Sequence, residues 1–413
     1  MFPLRHIVLL HSLVAASLPL AAQKCAQSDL KPGTQRLKAI QSQLLGFKVQ
    51  EEMDEGVPPP LQTQIGAFKD AFASLADAAL ECTAGNVEPK TLEKTLVKLL
   101  DANKPVVQEV YDPKKPPQLD RIYGADLSIK FSRPRGQPQI LLVEFRFGIA
   151  CGFDSLLLAY EPGGSGWKRI LRWQTQPYDL VNEAFGDFID YEVLPQIAGK
   201  NWLIVVAHGM PWCTSNMSAF DIDLLQPSVG DLSQRVLDHK KLFYRREEDP
   251  VMKPEPDGFE MRATGDSIDG NIIMRPVIFR LQLVNDRLER VQPIALNGRD
   301  FVDEWLQSPW SDAARWSAAR GLTNLEQSHR KLLDLRNASD APLLNFGPVR
   351  KCSGSAVDYE VELDENWVNS KGASRQGPTT YFQIEEGKNS FTMLSASPRS
   401  DASCIGPDIM PKE

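Results

Sequence analysis

Histidine is scarce in this chain, with five in 413 residues. His6 and His11 lie near the N-terminus, and His208, His239 and His329 sit far apart on different segments. That dispersal argues against a zinc site, whose ligands are usually closely spaced. Long hydrophobic runs are also missing. No stretch reaches the roughly 18 apolar residues that a membrane-spanning helix needs, so no membrane span is expected. An excess of basic residues is absent too: 46 Lys and Arg stand against 54 Asp and Glu, a formal charge of -8. Binding to phosphate backbones needs a basic surface, so nucleic acid is excluded as a partner.

The usual catalytic signatures are absent as well. There is no Gly-x-Ser-x-Gly elbow, Walker loop or dinucleotide fingerprint. The glycine-rich "PGGSG" runs into a strand-like segment and not a helix, which leaves no helix N-terminus to cradle phosphate. "GDSIDGN", Gly265 to Asn271, lacks the alternating acids and late glutamate of a calcium loop and reads as a hairpin tip. No cofactor and no metal are expected.

What is present begins with the N-terminus. "MFPLRHIVLLHSLVAASLPLAAQKC" has one arginine, an apolar run from Ile7 to Leu20, and the small residues Ala21 and Ala22 before a polar switch. This is the layout of a secretory signal peptide, here residues 1–22, and it predicts a secreted or periplasmic protein. Gln23 and Lys24 precede Cys25, and they are not the small residues of a lipid-attachment site.

All six cysteines, Cys25, Cys82, Cys151, Cys213, Cys352 and Cys404, fall after this leader. An even number in an exported chain reads as disulfides. Several connectivities satisfy six cysteines. Their distribution, two in each of three compositionally distinct segments, favours sequential pairing.

The expected architecture is α+β. Residues 23–111 form a helical unit. Leu37, Ile40, Leu44 and Phe47 make one apolar stripe; Leu61, Ile65, Phe68, Phe72, Leu75 and Ala79 a second; and Leu92, Leu96 and Leu99 a third. The prolines of "EGVPPPL" separate the first two. Antiparallel packing of those two helices would bring Cys25 near Cys82. Residues 112–121, proline-rich and charged, read as a linker.

From 122 to 297 the period changes to that of strands. "ADLSIKFS", "QILLVEFRFG", "SLLLAYEP" and "WKRILRW" form one set, and "DFIDYEVLP", "NWLIVVAHG", "SAFDIDLLQP" and "QRVLDHKKLFY" a second. "REEDPVMKPEPDG" reads as a linker to a third, weaker copy in "FEMRAT", "MRPVIFRLQLVN" and "RLERVQPIAL". Antiparallel repeats of this kind are propeller-blade-like or stacked sheets. Residues 298–340 return to helical spacing as a connector. Residues 341–413 form a small antiparallel sheet from "AVDYEVELD", "TTYFQIEEG" and "NSFTMLSAS", flanked by Cys352 and Cys404.

Two sets of residues suit chemistry. "HGMPWCTSN" puts His208, Trp212 and Cys213 on one loop, with Asp221 and Asp223 on the strand after it. A cysteine nucleophile needs a neighbouring base. "FGIACGFDS" places Cys151 at the equivalent position of the first repeat, however, so a Cys151–Cys213 bridge is the simpler reading, leaving His208 and Trp212 as candidate ligand-binding residues. "GDFIDYE" gathers Asp187, Asp190 and Glu192, a carboxylate set that could hydrolyse glycosides if suitably spaced. His239 reads as an exposed strand residue and His329 as a packed one. The overall expectation is a non-catalytic binding or interaction protein with a protein or carbohydrate ligand. The alternative is a hydrolase of sugars or peptides using the acids or the His208 and Cys213 loop.

Overall fold

The computed structural model describes residues 27–47, 57–81, 83, 87–104, 123–149, 152–164, 166–175, 188–194, 202–211, 217–228, 233–245, 250–272, 274–353, 357–368 and 373–410. The chain is α+β, with an N-terminal helical part, stacked antiparallel sheets, a helical connector and a C-terminal sheet. Cys25, Cys82, Cys151, Trp212, Cys213, Asp187 and the 112–121 linker lie outside the described residues. No described helix is long and apolar enough to cross a membrane.

The helical part comprises α1 (Gln27–Leu44), α2 (Pro59–Glu81) and α3 (Pro89–Leu100). α1 starts ten residues before its clearest apolar stripe and carries Pro32 within it. The early part is anchored by buried Leu30 and by Thr34, whose hydroxyl donates to the Leu30 carbonyl at 2.8 Å. Gly33 lies against the Leu75 side chain near the end of α2, as an antiparallel pair requires. α3 opens on Pro89, where a proline loses no helical hydrogen bond.

Three four-stranded meanders follow: β1 (Ser128–Ser132) to β4 (Trp167–Gln174), β5 (Phe188–Leu194) to β8 (Arg235–Arg245), and β9 (Val251–Glu255) to β12 (Arg287–Val291). Between these lie β2 (Leu141–Ile149), β3 (Gly152–Pro162), β6 (Leu203–Pro211), β7 (Met217–Gln226), β10 (Gly258–Asp266) and β11 (Met274–Val284). The second and third meanders meet through one pairing, Thr264 with Arg245. β9 falls inside the segment expected to be a linker. Its Pro254 is tolerated because β9 pairs only with β10 and forms a sheet margin, where a missing N–H breaks no ladder.

The core clusters identify a face-to-face stack. Val143, Phe145 and Phe147 of β2 point to the helices, where Phe72 stacks on Phe145 with centroids 3.9 Å apart. Leu142, Leu157 and Leu171 point the other way, onto Ile204 and Val206 of β6. The opposite face of β6, Leu203, Val205 and Ala207, packs on Phe259, Met261, Phe279 and Leu281 of the third sheet. Sheets enclosed on both faces need apolar residues on both sides of their strands: β6 is apolar from Leu203 to Ala207, whereas β2 carries Glu144 and Arg146 on the side it shares with Leu142. The outer face of the third sheet is charged, and its strands alternate: Glu260 pairs with Arg262 and Arg280 with Asp257.

The connector holds α4 (Gly298–Gln307), α5 (Trp310–Ala313), a single 3₁₀ turn over Ala314–Trp316 and α6 (Leu322–Arg336). It packs on a fourth meander, β13 (Leu343–Lys351), β14 (Tyr359–Val368), β15 (Ser374–Gly387) and β16 (Ser390–Ser397), around Trp305, Phe301 and Phe382. β13 was not expected as a strand, because Gly347 and Pro348 interrupt it. The chain absorbs them in a register shift between Phe346 and Val349. Cys352 and Cys404 are bonded, joining the end of β13 to the C-terminal segment. "GDSIDGN" is the tip of the β10–β11 hairpin, and it docks on β13: Gly270 donates to the Leu344 carbonyl, and buried Asp269 accepts from Phe346 N–H.

Candidate functional site

His208, on β6, points into the layer between the first and second sheets, on the same face as Ile204 and Val206. It is 5% exposed and packs against Trp173, with ring centroids 5.5 Å apart. Its Nε2 has no hydrogen-bond partner among the described residues. Burial pushes the imidazole down to about 4, against the pull of Asp154. The ring is therefore neutral at pH 7, and it faces the interior and not an open surface.

Asp221 stands opposite His208 across the β6–β7 ladder, and Asp223 opposite Val206. Asp223 accepts from Trp173 Nε1 at 2.7 Å and lies 2.9 Å from His239 Nδ1. His239 Nε2 is 3.7 Å from Asp221, whose carboxyl burial raises. His239 is exposed, as expected, but it is held by two carboxylates. Its spacing along β8 carried no hint of this, since the contact depends on β7–β8 register. A ring oriented by a carboxylate can serve as a base, yet that role also needs a substrate proton within reach. His329 is packed: it lies 4.9 Å from the Trp305 ring, with Nε2 3.1 Å from the carbonyls of Trp305 and Ser308.

Beneath the first sheet, Lys69 of α2 forms a buried pair with Asp154 of β3 at 2.8 Å and donates to Thr175. Burial lowers the lysine, opposed by Asp154. Together with Arg172–Asp70 and Arg169–Asp77, this pair ties α2 to the sheet.

Asp190 and Glu192 occupy the other face of β5, toward β9 and the third sheet. Both are half-buried. Burial raises Asp190, opposed by the N–H groups of Tyr191 and Met252, and burial together with the Asp190 charge pushes Glu192 up to about 7. Neither acid lines the two clefts described next.

The first cleft, about 760 Å³, lies between the second and third sheets and the α4–α5 corner. Val277, Leu281, Leu288 and Leu242 supply its apolar floor. On one wall Glu304 of α4 bridges two arginines, Arg275 Nη2 at 2.5 Å and Arg290 Nη1 at 2.5 Å, while Arg275 Nε also meets Asp303 at 3.1 Å. Burial alone would raise the Glu304 carboxyl. Arg290 and Arg275 outweigh it and hold the group below its ordinary range. Arg290 also lies over the Phe279 and Trp316 rings. A second cleft, about 680 Å³, separates the charged outer face of the third sheet from the β15–β16 turn. The first cleft was not anticipated, because it joins β8, β11, β12 and α4, and its charges, spread along the chain from Lys240 to Arg315, look like ordinary solvated positions.

Among the described residues, no group of three or more His, Cys, Asp or Glu side chains is placed to hold a metal. No protein-family description matches the chain, and no curated protein matches it. One solved structure, described as an Ntf2 like protein involved in plasmid conjugation, is similar at 12% identity over 52% of this chain and 78% of its own, with a TM-score of 0.12.

Proposed function

We propose that the chain is an exported binding or interaction protein that does not catalyse a reaction. The observation that carries the reading is the electrostatic state of the first cleft. Its Arg275–Glu304–Arg290 group is a pre-set lattice of permanent charges on a rigid helix and two strands. General acid–base catalysis needs a group that exchanges its proton near the working pH. Glu304 is held ionised by two guanidiniums, which suits recognition better than proton transfer. Export rests on the leader-like residues 1–22, and the Cys352–Cys404 bond fits an oxidising compartment.

A second reading, a hydrolase, is favoured by Glu192, whose carboxyl near 7 beside Asp190 resembles a tuned general acid. Against it, the two acids sit two residues apart on one strand and face β9, and neither lines the first or the second cleft. One experiment separates the readings. The chain lacking residues 1–22 is applied to glycan and peptide arrays, and in parallel to chromogenic glycosides and peptides. Saturable binding without turnover is expected. Turnover that Asp190→Asn or Glu192→Gln abolishes would establish the hydrolase instead.

A further inference from the structure

We propose that the first cleft is an open strand slot, which takes a short, uncharged, extended peptide added to the free edge of β8. The inference rests on the binding reading and names the partner class for this cleft. Hydrogen bonding at the sheet edges carries it. The N–H and C=O groups of an edge strand seek partners, and at other edges of this chain side chains supply them. On β1, Asn103 accepts from Ile129 N–H at 2.7 Å and donates to the Ile129 carbonyl at 2.9 Å. Gln234 does the same for Arg172 of β4, at 2.6 and 2.7 Å, and Gln292 for Phe391 of β16. On β13, Asp269 and Asp408 accept from the N–H groups of Phe346 and Val349.

β8 is closed in this way near its two ends. Asp238 accepts from His239 N–H at 3.0 Å and from Leu288 N–H of β12 at 2.7 Å, and Arg245 pairs with Thr264 of β10. Between these points, from Lys240 to Tyr244, β8 pairs with β7 alone among the described residues. His239 turns its N–H to Asp238, so alternation along the strand directs the N–H groups of Lys241 and Phe243 to the same open side.

The cleft runs along this stretch, with Lys240, Lys241 and Leu242 on one side and Val277, Leu281 and Leu288 of the third sheet as its floor. A five-residue strand is about 16 Å long; spaced 4.8 Å from its neighbour and 10 Å from a facing sheet, it fills roughly 800 Å³. The cleft holds about 760 Å³. Alternate side chains of the added strand meet the floor and are therefore apolar. The charges around the slot are matched within the chain. Arg275 and Arg290 share Glu304, Arg315 meets Glu289 and Lys240 meets Asp238, each at 3.3 Å, and Lys241 stands opposite Asp221. Arg287, opposite Val284, belongs to the outer face. The occupant complements this balance by carrying no net charge.

The probe is an equimolar pool of acetylated, amidated pentapeptides with Val, Ile, Leu or Phe at the first, third and fifth positions and Ser or Thr between them. Hydrogen exchange of the full chain lacking residues 1–22 is expected to slow saturably across 240–244 as the pool is added, and to stay unchanged in β2 and β3. The same pool N-methylated at every residue keeps its side chains and loses its backbone donors. It is expected to bind about tenfold more weakly or worse, as the loss of two hydrogen bonds allows. No slowing across 240–244, or equal slowing by the methylated pool, overturns the assignment. Slowing there without peptide, as the chain's own concentration rises, also overturns it, by placing a second copy on the edge. An array ligand that binds saturably and leaves exchange across 240–244 unchanged would keep the binding reading and remove this slot from it.

Discussion

His208 and Glu192 act on stability in opposite directions as pH changes, and burial decides which prevails. The His208 imidazole falls from its ordinary 6.5 to about 4 in the fold. Between those values the unfolded chain takes up a proton that the folded chain refuses, so stability is lost as pH falls from 6.5 to 4. Glu192 rises from 4.5 to about 7. Its folded form prefers the proton, so its penalty appears as pH rises from 4.5 to 7 and is complete above that. His208 is fully enclosed, and its shift corresponds to about 3 kcal/mol; Glu192 is half-exposed and solvent screens much of its effect. Urea unfolding of Glu192→Gln from pH 4 to 8 is expected to show higher stability than the unaltered chain above pH 7 and the same stability at pH 4. Adding His208→Gln is expected to flatten the difference between pH 6.5 and 4. Equal slopes with and without His208 would contradict its neutral, interior placement.

At the scale of elements, α4 shows how one helix start fixes a distant site. Asn297 caps it, accepting from Asp300 N–H at 2.9 Å and donating from Nδ2 to the Asp300 carboxylate at 2.7 Å. Gly298 follows because a Cβ there would meet Ile384 Cδ1 at 2.6 Å. The cap sets the helix that carries Asp303 and Glu304 to Arg275 and Arg290. Asn297→Ala is expected to cost about 1 kcal/mol in urea unfolding, with Asn297→Ser recovering most of it. A loss under a few tenths would mean the cap is not formed. The apolar stripe of α2 and the runs of β2 and β6 are readable in the sequence, because each depends on neighbouring residues alone. The early part of α1, β9 and β13 are not, since Pro32, Pro254 and Gly347–Pro348 are local breakers. Tertiary packing, a sheet margin and a bulge accommodate them, and none of these is visible along the chain.

At the scale of the whole molecule, local pattern predicts meanders but not how they pile up. The strand repeats were legible; that their faces interleave as helices, first sheet, second sheet, third sheet follows only from which side of β2 and β6 each residue takes. His208, read as a loop residue, therefore lies between layers, and the charged cleft comes from segments no motif connects. The α4–α6 and β13–β16 unit has a core of its own, joined to the stack by the Glu304 arginines and by Asp269. The Cys352–Cys404 bond closes 52 residues within that unit, which in the chain-entropy account contributes about 4 kcal/mol. If the unit unfolds by itself, Cys352→Ala/Cys404→Ala weakens it and leaves the stack alone. Hydrogen exchange of the double variant is then expected to lose protection across 343–410 and keep it in β2, β3 and β6. Equal loss in all these strands would show that the Arg275–Glu304–Arg290 contact couples unit and stack into one cooperative structure, in which case Glu304→Gln should restore their independence.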